Sequence, residues 1–244
     1  MRHRPFLLAA CAAVTVVALT GCAANDNSLR ISAAASLRGA LEQIVPLFEQ
    51  EHPDIDIAPI VYDGSSVLAT QVSEGAPVDV VAFADDATMD RIAEFTHDTV
   101  IIASNSLVIA LADPSVPVTT LEDLARPDLD VVLCAEAVPC GAAAQSALAA
   151  ADITVTPASR EQNVTAVATK VASGDADAGL VYRTEAATRG LITIEDDRLD
   201  AIINNYPVAI VSDSSHPAAA SAFIDFLLTD VAQAELAQLG FQTP

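Results

Sequence analysis

Strand-length apolar runs alternate with amphipathic helical stretches along almost the whole of this chain, and that alternation leaves few folds open. Residues 30–35 read as a strand. Leu37, Ala40, Leu41, Ile44 and Phe48 then fall on one stripe of a helix over 37–51, which Pro46 should kink. Strands over 56–62 and 78–84 alternate with helices over 67–74 and 85–94. Farther on, strands at 106–111, 130–135, 178–181 and 207–211 are interleaved with helices at 121–124, 141–151, 163–173, 184–189, 216–228 and 231–239. Short spacing of this kind predicts βαβ units, and so an α/β fold of mainly parallel sheets with flanking helices. The apolar strands at 106–111 and 207–211 have no helix in front of them, so they are expected to cross between two such units. The expected division is one lobe of 29–107 plus 208–244 and a second of 108–207, hinged around a cleft.

Several strand-to-helix junctions share a chemistry. Ser36 stands where a strand gives way to a helix, the place of an N-cap. Asp63-Gly64-Ser65-Ser66 follows the next strand, with Ser65 or Ser66 as the cap. Val138-Pro139-Cys140-Gly141 and Asn163-Val164-Thr165 open two more helices. Each turn supplies N–H groups that have no partner inside the helix, at the edge where open α/β sheets hold ligands. Tyr182 ends its strand on the same edge and adds a phenolic donor. One such turn reads as a cap alone; four, two per lobe, predict a cradle for an anion built without positive side chains.

The first residues carry a different message. Met1-Arg-His-Arg4 precedes an apolar run from Pro5 to Thr20, the pattern of a secretory signal. The run is short for a spanning helix, which needs about 20 apolar residues. It closes on Leu19-Thr20-Gly21-Cys22, which resembles a bacterial lipobox. The resemblance implies a signal peptide over 1–21, a lipid on Cys22, a tether over 22–28, and an extracytoplasmic protein held to the cell membrane by that lipid alone. Loss of 1–21 removes Arg2 and Arg4 and no acid, taking the formal charge from −22 to −24. Such acidity argues against nucleic acid and against a basic membrane-binding patch. Cys134 and Cys140 remain as an even pair outside the cytoplasm, read as a disulfide with two buried thiols as the other reading.

Taken together, Ala33-Ala-Ala-Ser36-Leu37, Gly64-Ser65-Ser66-Val67-Leu-Ala69, Gly75-Ala-Pro-Val-Asp79, Ser104-Asn-Ser-Leu107, Val138-Pro-Cys-Gly141, Asn163-Val164, Ala178-Gly-Leu-Val-Tyr182, Tyr206-Pro-Val208 and Gly240-Phe241 resemble the molybdate-binding proteins of ABC importers. The resemblance covers nearly the whole mature chain. It implies a two-lobed periplasmic-binding-protein fold of the second type and a receptor that hands molybdate or tungstate to a membrane permease. It implies a monomer, no cofactor and no enzyme activity. It assigns the ligand to Ser36 and Ser65 in the first lobe and to Cys140, Val164 and Tyr182 in the second, with molybdenum met only as its oxyanion. Alanine is usual in the family where Cys140 stands here. Because that position donates through its backbone, the change need not disturb binding.

Neutral donors suit an anion that carries no proton, and selection against sulfate then falls mainly to cavity size. Two other readings compete with this one. Sulfate or phosphate would fit a similar cradle. A serine hydrolase would want a Gly-x-Ser-x-Gly elbow or a histidine close to Ser36 or Ser65 in sequence, and neither occurs. Asp79, inside an apolar strand, is expected to accept loop N–H groups, not to catalyse.

Overall fold

The computed structural model describes residues 28–243, so the expected signal segment and Cys22 lie outside the described residues. Two five-stranded sheets organise the chain. The first holds β1 (Ile31–Ala34), β2 (Val61–Asp63), β3 (Val80–Ala82), β4 (Thr96–Asn105) and β10 (Asn204–Val211), in the order β2-β1-β3-β10-β4. The second holds β5 (Leu107–Leu111), β6 (Val131–Cys134), β7 (Ser159–Glu161), β8 (Ala178–Tyr182) and β9 (Ile192–Ile194), in the order β7-β6-β8-β5-β9. The two sheets repeat one plan. Each has three parallel neighbours followed by two antiparallel strands.

One extended segment makes the first passage between sheets: β4 ends at Asn105, Ser106 intervenes, and β5 begins at Leu107. The return runs through 201–203 into β10. Ser106 Oγ donates to Asp200 Oδ1 at 2.9 Å, so the two passages are tied together. Sequence pattern concealed β4, because its first four residues, Thr96-His97-Asp98-Thr99, are polar, and Asp98 takes a left-handed φ of 53° that suits a turn. Register shifts against β10 absorb the irregularity.

Helices α1 (Arg38–Glu51), α2 (Ser65–Ser73) and α3 (Asp86–Asp90) belong to the first lobe, together with α8 (Pro217–Leu227) and α9 (Asp230–Gln238). Helices α4 (Pro139–Ala150), α5 (Val164–Ser173), α6 (Arg183–Arg189) and α7 (Asp197–Asp200) belong to the second. The predicted stripe of α1 is the buried one: Ala40, Leu41, Ile44 and Phe48 are all enclosed. Phe48 meets Phe223 edge-on at 5.2 Å, which docks the C-terminal helix pair onto the first lobe. Burying one such ring contributes about 1.5–3 kcal/mol. Pro46 lies inside α1, and the helix continues through it as one element. Pro46 is on the exposed face, where water can take the carbonyl its missing N–H leaves free.

Asp79 behaves as an anchor. Its carboxylate accepts from Arg30 N–H (2.9 Å), Ser215 N–H (3.0 Å), Ser214 Oγ (2.7 Å) and His216 Nδ1 (3.3 Å). Burial raises its pKa, but those hydrogen bonds and the His216 charge outweigh it and hold the carboxyl below its ordinary range. The result ties the start of β3 to the turn that leads into α8.

Candidate functional site

The carboxyl ends of β1 and β2 face the N-termini of α4 and α5 across a small cavity. It is lined by Ser36 and Ser65 from the first lobe and by Cys140, Val164 and Tyr182 from the second. All five residues singled out from the sequence therefore meet in one place. Each is at least nine-tenths buried: Ser36 8%, Ser65 1%, Cys140 4%, Val164 3% and Tyr182 1% exposed. The cavity leaves ≈ 20 Å³ open to the centre of a water-sized sphere. A sphere of that volume has a radius of about 1.7 Å, and adding the water's own radius of about 1.4 Å puts the wall about 3 Å from the centre. That is room for one small tetrahedral anion and little else.

Local backbone explains the donors. Ser65 is the first residue of α2, Cys140 the second of α4 and Val164 the first of α5, so their N–H groups have no intrahelical acceptor. Three helix N-termini thus point their positive dipole ends at one cavity. Pro139 opens α4, where its missing N–H costs nothing. Asn163 is a true cap: its Oδ1 accepts from Ala166 N–H at 3.0 Å.

Ser36 and Ser65 are not caps, contrary to expectation. Ser36 sits in a short 3₁₀ turn, Ala35–Leu37, and neither that turn nor α1 has a side-chain cap. Gly64 occupies the cap position of α2, again without a side-chain bond. Both hydroxyls are engaged elsewhere. Ala84 N–H donates to Ser65 Oγ at 3.0 Å, and Tyr206 OH donates to Ser36 Oγ at 3.0 Å.

The Tyr182 hydroxyl is buried without a protein partner. Leaving such a group unpaired costs about 1–3 kcal/mol, which a ligand oxygen would recover. Burial, then the neighbouring Tyr206 and Asp85, push its pKa far above the ordinary phenol value, so it stays a neutral donor.

Cys134 and Cys140 are joined, with Cα atoms 5.8 Å apart, and the bridge closes the turn from β6 into α4. Gly141 completes that turn: a Cβ there would lie 1.8 Å from the Ala135 carbonyl oxygen. The lobes touch around the cavity. Ser66 Oγ donates to the Ala137 carbonyl at 2.6 Å, and Asn163 Nδ2 donates to Asp63 Oδ1 at 3.2 Å. Asp63 lines the cavity as well, but the same oxygen also accepts from Gly64 N–H at 2.7 Å, so protein donors engage it. Sequence reading missed Asp63 and the second use of Asn163. The signal was present, since both flank donor turns, but only the fold pairs residues 100 positions apart.

The chain matches the family described as bacterial extracellular solute-binding protein over residues 29–242. It is 34% identical over 251 residues to the molybdate-binding protein ModA of Mycobacterium tuberculosis (strain ATCC 25618 / H37Rv), covering 95% of each. Among solved structures it is similar to the periplasmic molybdate-binding protein of Azotobacter vinelandii, with a TM-score of 0.76 at 19% identity over 88% of this chain and 99% of the other. It is also similar to the sulfate-binding protein SubI of Mycobacterium tuberculosis H37Rv, with a TM-score of 0.74 at 19% identity over 89% and 87%. Those two are likenesses of fold, while the family match spans almost every described residue. The chain belongs to the bacterial extracellular solute-binding protein family.

Proposed function

We propose that this protein is the lipid-anchored receptor of an ABC importer, which binds molybdate or tungstate between its lobes and delivers it to a membrane permease. The observation that carries the reading is the convergence of Ser36, Ser65, Cys140, Val164 and Tyr182 on one cavity the size of a single oxyanion. The resemblance to ModA over 95% of the chain supports the choice of anion. Ser36 and Ser65 give hydroxyl and backbone donors, Cys140 and Val164 backbone N–H groups, and Tyr182 its hydroxyl. Every one is neutral, so no counter-charge is left buried when the ligand departs. The SubI likeness shows that this fold is shared by a sulfate-binding protein, so the fold alone does not choose the anion. The reading has the protein bind and release its ligand unchanged, as a monomer, with the lipid on Cys22 as its only membrane attachment.

Calorimetry of the soluble domain with molybdate, tungstate, sulfate and phosphate is the direct test. Tight binding of molybdate or tungstate with weak binding of the other two is expected. Tight sulfate or phosphate binding with neither of the first two overturns the assignment. For the anchor, Cys22→Ala should release the protein from membranes, and full retention counts against lipidation.

A further inference from the structure

Three stretches picked out in the sequence take no part in lining the cavity: those around Asn105, Tyr206 and Phe241. The structure gathers all three about one side chain. Tyr206 is completely buried, meets Phe241 edge-on at 5.2 Å, and lies 6.1 Å from the Tyr182 ring. Its hydroxyl donates to Ser36 Oγ at 3.0 Å. Asn105 Nδ2 reaches the same hydroxyl at 3.5 Å and donates to Thr184 Oγ1 at 2.8 Å.

We propose that Tyr206 is a positioning residue: held by Asn105, it fixes the direction of the Ser36 hydroxyl so that Ser36 meets the anion as a donor. The inference rests on the oxyanion reading above.

The polarity of this relay is set at its root. Ser106 N–H donates to Asn105 Oδ1 at 3.0 Å, which settles the amide's orientation and leaves Nδ2 facing Tyr206 and Thr184. A phenol oxygen that accepts from Asn105 has one proton to give, and Ser36 is where it goes. Burial raises the Tyr206 pKa, more than the bonds to Ser36 and Asn105 lower it, so that proton stays in place. Ser36 Oγ then has a lone pair occupied, and its own proton remains for the cavity. Ser65 has the same treatment from an unrelated source, the Ala84 N–H. Both serines therefore reach the cavity with an acceptor site already filled. The relay also spans the lobes, from Thr184 through Asn105 at the first passage to Ser36, and every member is buried.

A double-mutant cycle tests this with molybdate as the probe. Tyr206→Phe keeps the ring between Phe241 and Tyr182 and removes only the hydroxyl. Molybdate affinity is expected to fall about five- to tenfold, the scale of one neutral hydrogen bond, since the bond removed is the one from Tyr206 to Ser36. In a Ser36→Ala background the same change should alter affinity by less than about twofold, because the relay acts through Ser36. A purely structural tyrosine would give the same loss in both backgrounds. Asn105→Asp turns the root donor into an acceptor. It draws the Tyr206 proton away from Ser36 and should cost at least as much affinity as Tyr206→Phe. An additive cycle, or unchanged affinity in Tyr206→Phe, overturns the proposal. If Tyr206→Phe does not fold, Asn105→Asp decides in the same two backgrounds, with unchanged or additive affinity overturning it. A wild-type protein that binds neither molybdate nor tungstate fells the oxyanion reading and the relay together, whereas wild-type binding with an additive cycle fells the relay alone.

Discussion

Gly64→Ala should abolish most oxyanion binding while leaving both lobes folded. Gly64 has φ −62° and ψ 133°, a conformation open to any residue, so backbone freedom does not explain the glycine. Space explains it. A Cβ on Gly64 would stand 2.4 Å from the Gln162 carbonyl oxygen and 3.7 Å from Asn163 Cβ, both in the opposite lobe. Ordinary contact begins at 3.4 Å, so the lobes must part here by about 1 Å, because a main-chain oxygen cannot swing aside as a side-chain tip can. A hydrogen bond of about 2.9 Å then becomes one of about 3.9 Å, beyond useful range. The second lobe supplies Cys140, Val164 and Tyr182. Losing two of three bonds to a charged ligand, at about 1.5–3 kcal/mol each, removes about 3–6 kcal/mol. Affinity should drop about 10²- to 10⁴-fold. The Ser66–Ala137 and Asn163–Asp63 contacts stretch by the same movement. Calorimetry with molybdate, paired with a ligand-free melting curve, reads both terms. A Gly64→Ala protein that melts as wild type does and binds within about threefold of it refutes the argument.

Four further outcomes are expected. Tyr182→Phe removes a buried hydroxyl that has no protein partner, so ligand-free stability should hold or rise by up to about 1–3 kcal/mol while oxyanion affinity falls about tenfold; a parallel fall in both by melting and calorimetry counts against its role as a donor. Replacing both Cys134 and Cys140 by serine opens a short loop and should cost about 2 kcal/mol. The melting point should drop by about 4–8 °C, and an unchanged value would show that the bridge does not stabilise the fold. Because the folded Asp79 carboxyl lies below 3.8, its stabilisation is complete above that value and is lost as pH falls through the lower folded one. Asp79→Asn should therefore weaken the protein at pH 7 and flatten the stability curve below about pH 4, and denaturant titrations with parallel slopes across that range would contradict it. Added salt should speed anion association, since a chain of formal charge −22 repels a dianion until the repulsion is screened over about 10 Å at 0.1 M; a stopped-flow rate that falls with salt would mean that a local cation steers the ligand instead.

How far the fold and site could be read in advance depended on the range of each interaction. Strand-to-helix turns are local, and the donor positions at Ser65, Cys140 and Val164 follow from short-range rules about helix starts. The stripe of α1 is likewise a matter of spacing along one helix. The Cys134–Cys140 pair lies within one turn. What stayed hidden was non-local. β4 carries a polar, left-handed residue near its start and owes its strand state to seven residue pairs with β10, bulges included, not to its own pattern. The errors about Ser36 and Ser65 have the same origin. A serine at a helix start caps by default, and only donors brought from Tyr206 and Ala84, 170 and 19 positions away, draw the hydroxyls off that duty.

That displacement bears on how so acidic a chain holds an anion at all. A serine that caps its own helix uses its oxygen to satisfy N–H groups, and so removes donors from the cavity. Here the caps are Gly64 and Val138, which take none, and Asn163, whose Oδ1 accepts from Ala166 N–H and spares the Val164 N–H. Each helix start keeps its foremost N–H free, and each serine hydroxyl is turned by a partner that donates to it. The attraction is thereby confined to dipoles within a few ångströms of the ligand, while the Asp63 carboxylate at the cavity is engaged by Gly64 N–H and Asn163 Nδ2 and the more distant carboxylates are screened by solvent. Net charge can then drift to −22 without cost to the site, because nothing in the cradle depends on a formal positive charge. The same arrangement makes binding depend on contact between the lobes. Donors of partial charge act only at hydrogen-bond distance, so half a cradle holds little, and the gap at Gly64 has to stay as narrow as a glycine allows.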